Sequence, residues 1–132
     1  MRIFVIAAFA AALFACDKGD SKSAPSGKEH LVTAWQKAGL TVSSLTADKS
    51  GAIGTDCATG TVNKVDVAVC TFKTPSEAKA AEAKGWQWIG ANTGTALTQG
   101  PLVLAVADRA NADPSGRTIN TISKTFTGDS SK

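Results

Sequence analysis

From Lys28 onward the spacing of apolar positions changes several times along the chain, and each change predicts an element. Leu31, Ala34, Trp35 and Ala38 recur at helical spacing behind a capping box formed by Ser26 and Glu29, and Gly39 suits the left-handed turn that ends a helix. Leu40 to Leu45 (LTVSSL) alternates with period two, the mark of a half-buried strand. Residues 47–55 are rich in turn formers. Two β-compatible segments, Cys57 to Val62 and Val65 to Phe72, then flank Asn63-Lys64 and predict a hairpin. In the second segment Val65, Val67 and Val69 point one way while Ala68, Cys70 and Phe72 point the other. A strand that is apolar on both sides, with Asp66 the exception, belongs in the middle of a sheet.

The pattern then returns to helical. Thr74-Pro75-Ser76-Glu77 combines an N-cap, a proline at the first helical position and a glutamate in the first turn. It predicts a helix from Pro75 to about Lys84, with Ala78 and Ala81 inward, Ala80 a further candidate for that face, and Gly85 as its end. Trp86 to Gly90 is short and aromatic, Gly94 to Gln99 reads as a strand, and Gly100-Pro101 makes a turn. The unbroken apolar run Leu102 to Ala107 predicts a strand buried on both faces. Asp113-Pro114 repeats the cap-plus-proline start, ahead of a helix with Ile119, Ile122 and Phe126 on one face and Gly128 at its end. The predicted fold is therefore α+β, an antiparallel sheet of about four to five strands packed by about three helices in the order α-β-ββ-α-ββ-α. The passages Val65 to Lys84 and Leu102 to Phe126 share the order strand, capped proline helix, which hints at two similar halves.

Ahead of this body the pattern is of another kind. Arg2 precedes an unbroken apolar run from Ile3 to Ala15. That run is shorter than the ~20 residues a membrane-spanning helix needs, and its basic start and small terminal residue have the layout of an export signal. Asp17 to Gly27 (DKGDSKSAPSG) follows with no large apolar residue, the composition of a solvated tether. Residues 28–128 then form one domain, and 129–132 are a polar tail.

Leu13-Phe14-Ala15-Cys16 resembles the lipobox of bacterial lipoproteins, with Leu13 and Ala15 at its aliphatic and small positions. The resemblance implies that residues 1–15 are a removed signal peptide, that Cys16 carries a lipid, and that the protein is exported and anchored to the bacterial cell envelope. Asp17 resembles an inner-membrane retention signal of some lineages, so the choice between inner and outer membrane stays open. A plain secretory signal cut near Ala15, leaving Cys16 a free thiol, is the competing reading. The remainder of the chain is similar to small envelope lipoproteins of uncharacterised activity, and no family of known activity is implied.

Charge and cysteines narrow the picture. The net charge of +3 falls to +2 once Arg2 leaves with the signal, 13 basic against 11 acidic residues. The lysines are scattered among acids, so no footprint for nucleic acid forms. Three cysteines leave one unpaired in an oxidising compartment. A lipid on Cys16 resolves this and leaves Cys57 with Cys70. Pairing Val62 with Val65 around a two-residue turn carries the register outward to Cys57 opposite Cys70, where Cα atoms stand ~4.5 to 5.5 Å apart, within disulfide reach. A longer loop in place of Asn63-Lys64 shifts the register and still leaves the cysteines near each other. The bond reads as structural, with a cleavable cross-strand bond as the alternative.

Candidate chemistry is sparse. His30, the single histidine, has no partner in a nucleophile motif, and Cys57 and Cys70 lack the further ligands zinc needs. Asp108, Asn111, Asp113 and Ser115 are oxygen donors without the spacing of a calcium loop. Trp86 and Trp88 alternate, so in an extended segment they share one side, a candidate platform for sugar or peptide; core or rim packing is the plain alternative. No cofactor and no metal are expected. The leading expectation is a lipid-anchored, non-catalytic interaction domain whose partners are the membrane, through Cys16, and an envelope protein. The alternatives are a small ligand-binding lipoprotein with a site near Trp86 and Trp88, and an envelope enzyme.

Overall fold

The computed structural model of the chain describes residues 27–128. The expected signal peptide, Cys16, the expected tether up to Ser26 and the tail from residue 129 lie outside the described residues. Among the described residues the expected order α-β-ββ-α-ββ-α is found: α1 (Gly27–Lys37), β1 (Thr46–Asp48), β2 (Cys57–Val62), β3 (Val65–Thr71), α2 (Pro75–Ile89), β4 (Gly94–Gln99), β5 (Leu102–Ala107) and α3 (Arg117–Thr127). The strands form a single antiparallel sheet in the order β1-β2-β3-β5-β4. Among these elements no helix is long and apolar enough to cross a membrane.

α1 buries Leu31 and Trp35, one turn apart, and its end is a Schellman motif. Gly39, at φ 91°, lets the Leu40 N–H reach the Trp35 carbonyl and its own N–H reach Gln36. Ala38, expected on the inner face, is exposed because the helix stops at Lys37.

The strand expected over Leu40 to Leu45 does not form. Val42 makes an isolated antiparallel bridge to Val62, and regular pairing resumes only at Thr46↔Thr59. One more residue lies between Val42 and Thr46 than between Thr59 and Val62, so the chain bulges over Gly60. Contacts between the two segments accommodate it: the Ser43 hydroxyl accepts the Thr61 N–H at 2.8 Å, and a Cβ on Gly60 would sit 2.7 Å from Leu45. The bulge resets the alternation, which lets Leu45 join Leu40 and Val42 against the core.

The hairpin has the predicted register, Val62↔Val65 through Cys57↔Cys70. Asn63 and Lys64 both take positive φ, 51° and 72°, as a tight two-residue hairpin turn requires. Counting outward from the turn, Cys57 and Cys70 form a non-hydrogen-bonded pair, the closer kind. Their Cα atoms are 4.0 Å apart and joined by a disulfide.

The sheet has two unlike faces. One carries Cys57, Ala68, Cys70, Ala96, Val103, Ala105 and Ala107, and packs against Ala78, Ala81 and Ile89 of α2. The other carries Val62, Val65, Val67, Val69, Leu104 and Val106, and packs against Leu31 and Trp35 of α1 and Ile122 and Phe126 of α3. Trp35 is fully buried and donates its indole N–H to the Ile122 carbonyl at 3.3 Å, tying the two helices together. The helices of the two ββα passages thus lie on opposite faces, and the similarity of the halves ends at element order.

Two helix boundaries differ from expectation. α2 starts as predicted, with the Thr74 hydroxyl accepting the Glu77 N–H at 3.1 Å, but runs through Gly85 to Ile89 and ends at Gly90, φ 65°. Gly85 is a contact residue, since a Cβ there would lie 3.2 Å from that of Ala96. α3 begins at Arg117, after a turn at Asp113-Pro114. Asp113 still caps it from a distance, accepting the Thr118 N–H at 3.1 Å and the Ile119 N–H at 2.8 Å.

Candidate functional site

α2 lies across β4 and β5; beside it Cys57, Ala68 and Cys70 of the same face are buried, while Thr46, Asp48, Thr59, Thr61 and Asp66 of β1, β2 and β3 keep access to solvent. On antiparallel strands in this register, Thr46, Asp48, Thr59, Thr61 and Asp66 share the side of Cys57 and Ala68. With Ser44 and Ser50 they line an open trough of about 440 Å³, and Trp88 of α2 forms its wall. A second groove, about 510 Å³ between α1 and the edge of the sheet, is more apolar and lined by Val32, Leu45 and Ala58 among others. The trough is the candidate site because it gathers hydroxyls, carboxylates and an aromatic ring.

Arg109, just after β5, organises the wall. Its guanidinium stacks 4.2 Å from the Trp88 ring centroid, its Nη1 lies 3.2 Å from Asp66 Oδ2, and its Nη2 donates to the Trp88 carbonyl. Stacking plus two hydrogen bonds holds the half-buried indole in one orientation. Arg109 balances Asp66, and among the described residues Asp48 has no ion-pair partner. Asp48 accepts the Ser50 N–H at 3.0 Å and its hydroxyl at 3.1 Å, so both its oxygens are oriented by a local turn. Among the described residues the hydroxyls of Thr46, Thr59 and Thr61 have no protein partner. They can donate to and accept from a ligand. An aromatic wall beside such a floor suits a ligand with polar edges and an apolar face.

Other candidates fall elsewhere. Trp86 and Trp88 do not share a side, because their segment is helical and two residues turn it by roughly 200°. Trp88 meets the trough, whereas Trp86 is 49% exposed on the opposite flank. His30 is exposed on α1, on the far side of the sheet. The disulfide lies in the trough's face but is buried, with Cys57 4% and Cys70 0% exposed. Asp108 accepts the backbone N–H of Ala112 and of Asp113, at 2.7 and 2.9 Å, so it and Asp113 serve the loop and the helix start. Asn111 takes φ 55° in that loop. Among the described residues no group of three or more His, Cys, Asp or Glu is placed to hold a metal ion.

Arg109, Asp48, Thr46, Thr59 and Thr61 were not singled out by sequence. Part of the signal was present: Thr59 and Thr61 alternate with Cys57, and Asp66 interrupts an otherwise apolar strand. Arg109 gave none, since it comes from a loop and reaches Asp66 across 43 residues of sequence.

The fold and the trough define an α+β domain with a five-stranded antiparallel sheet between one helix and two, and a polar recess on the face that carries α2. No family model, curated protein or solved structure matches the chain.

Proposed function

We propose that the protein is a lipid-anchored component of the bacterial cell envelope whose domain binds rather than reacts, with the trough as its binding surface. The reading rests on one observation: strands β1, β2 and β3 present solvent-accessible hydroxyls and carboxylates beside an indole held in place by Arg109. Such a surface offers many weak polar contacts and one apolar one. It suits a polar ligand of oligosaccharide or short-peptide size, displayed by the envelope or by a partner within it.

The anchor is supported by the lipobox-like residues Leu13 to Cys16 and the polar spacer after them. Lipidation on Cys16 leaves the domain free to act at the reach of its tether, in either membrane. Its test is direct: a fatty-acid probe fed to cells labels the wild-type chain and fails to label Cys16→Ala.

Titration with cell-wall glycans and peptides, read by tryptophan fluorescence, tests the site. Binding should change the emission of wild type and spare that of Trp88→Phe. Unchanged emission across both ligand classes would overturn the trough as a binding surface. Turnover of any of these ligands would instead establish an enzyme.

A further inference from the structure

The two edges of the sheet are built differently. β1 is three residues long, follows a bulge and ends at the charged Asp48, with Lys49 next in the chain. These are the devices that protect an edge from pairing with another chain. β4 has none of them: it is six residues long, pairs with β5 without a bulge and contains neither charge nor proline. No charged residue occurs anywhere between Lys84 and Asp108.

The backbone of β4 is aimed outward in a regular way. The two-residue turn at Gly100-Pro101 makes Gln99↔Leu102 the closing pair, and the Asp108 N–H donates to the Thr93 carbonyl at 2.8 Å. Odd-numbered residues therefore hydrogen-bond toward β5. The N–H and C=O groups of Gly94, Ala96 and Thr98 face away from the sheet.

A second observation falls on the same side. Trp86 is the one exposed large hydrophobic side chain among the described residues. Trp88, on the opposite flank of α2, faces β3 through Asp66 and Arg109. Because α2 spans β4 and β5, Trp86 stands on the flank above the open edge.

We propose that the β4 edge is a self-association surface, on which two copies of this chain join their sheets antiparallel about a two-fold axis at Ala96. In that register Ala96 pairs with its symmetry mate and Gly94 with Thr98, and the paired residues are those whose backbone groups face outward. Thr95 meets Leu97 on the other face, and no like charges oppose. The axis stands normal to the sheet, so both α2 helices lie on one side and the two Trp86 indoles flank the seam between them. A second copy fits because one short uncharged strand supplies both halves of the ladder.

The full-length chain, purified in density-matched detergent, should sediment at twice its monomer mass over a concentration series. Thr98→Pro deletes an outward N–H that the isolated domain does not use, so it should give a monomer with unchanged circular dichroism. Trp86→Ala should raise the dimer dissociation constant roughly tenfold or more. The Ala96 and Thr98 amides should exchange slowly in the dimer and rapidly on dilution. A monomer at every concentration, a dimer indifferent to both substitutions, or an added mass belonging to another polypeptide would each overturn the proposal.

Discussion

The two faces of the sheet reach a packed state by opposite means. One is filled by volume: Val, Leu and Ile side chains meet Trp35 and Phe126, and two helices cover the strands. The other is filled by approach: alanines and Gly85 bring a single helix close to β4 and β5. Bulky side chains spread coverage, whereas small ones gain contact only where the helix lies. On the alanine face Thr46, Thr59, Thr61 and Asp66 keep access to solvent, and these polar residues become the trough. The disulfide is buried on this thinner face and joins β2 to β3.

Breaking the thick face should cost most. Trp35→Ala removes a fully buried ring and its bond to the Ile122 carbonyl, so about 3 to 5 kcal/mol is expected. Equilibrium urea unfolding measures it, and a loss near zero would show that the thick face is not the main source of stability. Next comes the cross-link of the thin face. Cys57→Ser, or Cys70→Ser, should cost about 2 to 4 kcal/mol by releasing the unfolded chain. Unfolding with and without reductant checks this, and the serine variants should be insensitive to reductant.

A smaller effect tests approach directly. Gly85→Val forces side-chain atoms into the α2–sheet contact and should cost about 1 to 3 kcal/mol. Thermal unfolding reads this; a neutral result would mean that α2 can lift off without loss. Smallest of all, Arg109→Ala should change stability by under about 1 kcal/mol, because its pair with Asp66 is partly solvated. Yet it should shift the emission of Trp88, whose ring it stacks. A trough residue with a large stability cost would instead be structural.

How far the fold was readable follows from the range of each interaction. The hairpin was legible to the residue pair because a two-residue turn sets the register and period-two alternation carries it to Cys57 and Cys70. The central place of β3 was legible from apolar residues on both its sides. The helix starting at Pro75 was legible from its cap, but its end was not. Gly85 has the same local preference whether it ends a helix or lets one lie flat, and only Ala96 and Ala105 across the contact decide between these.

The same division holds for the site. Sequence by itself carried the alternation of helices and hairpins and, for a two-residue turn at Asn63-Lys64, the register that pairs Cys57 with Cys70, because these follow from local periodicity; it placed the first strand at Leu40 to Leu45, ahead of the Thr46–Asp48 that pairs. Tertiary structure alone decided that Trp86 and Trp88 part to opposite flanks, that Leu40 to Leu45 bulges over Gly60, and that Arg109 closes on Asp66 and Trp88. Each of these depends on partners that only packing brings together. The trough lies where polar residues of β1, β2 and β3 meet Trp88 of α2, and that meeting is made by packing between elements distant in sequence rather than by any run of neighbouring residues.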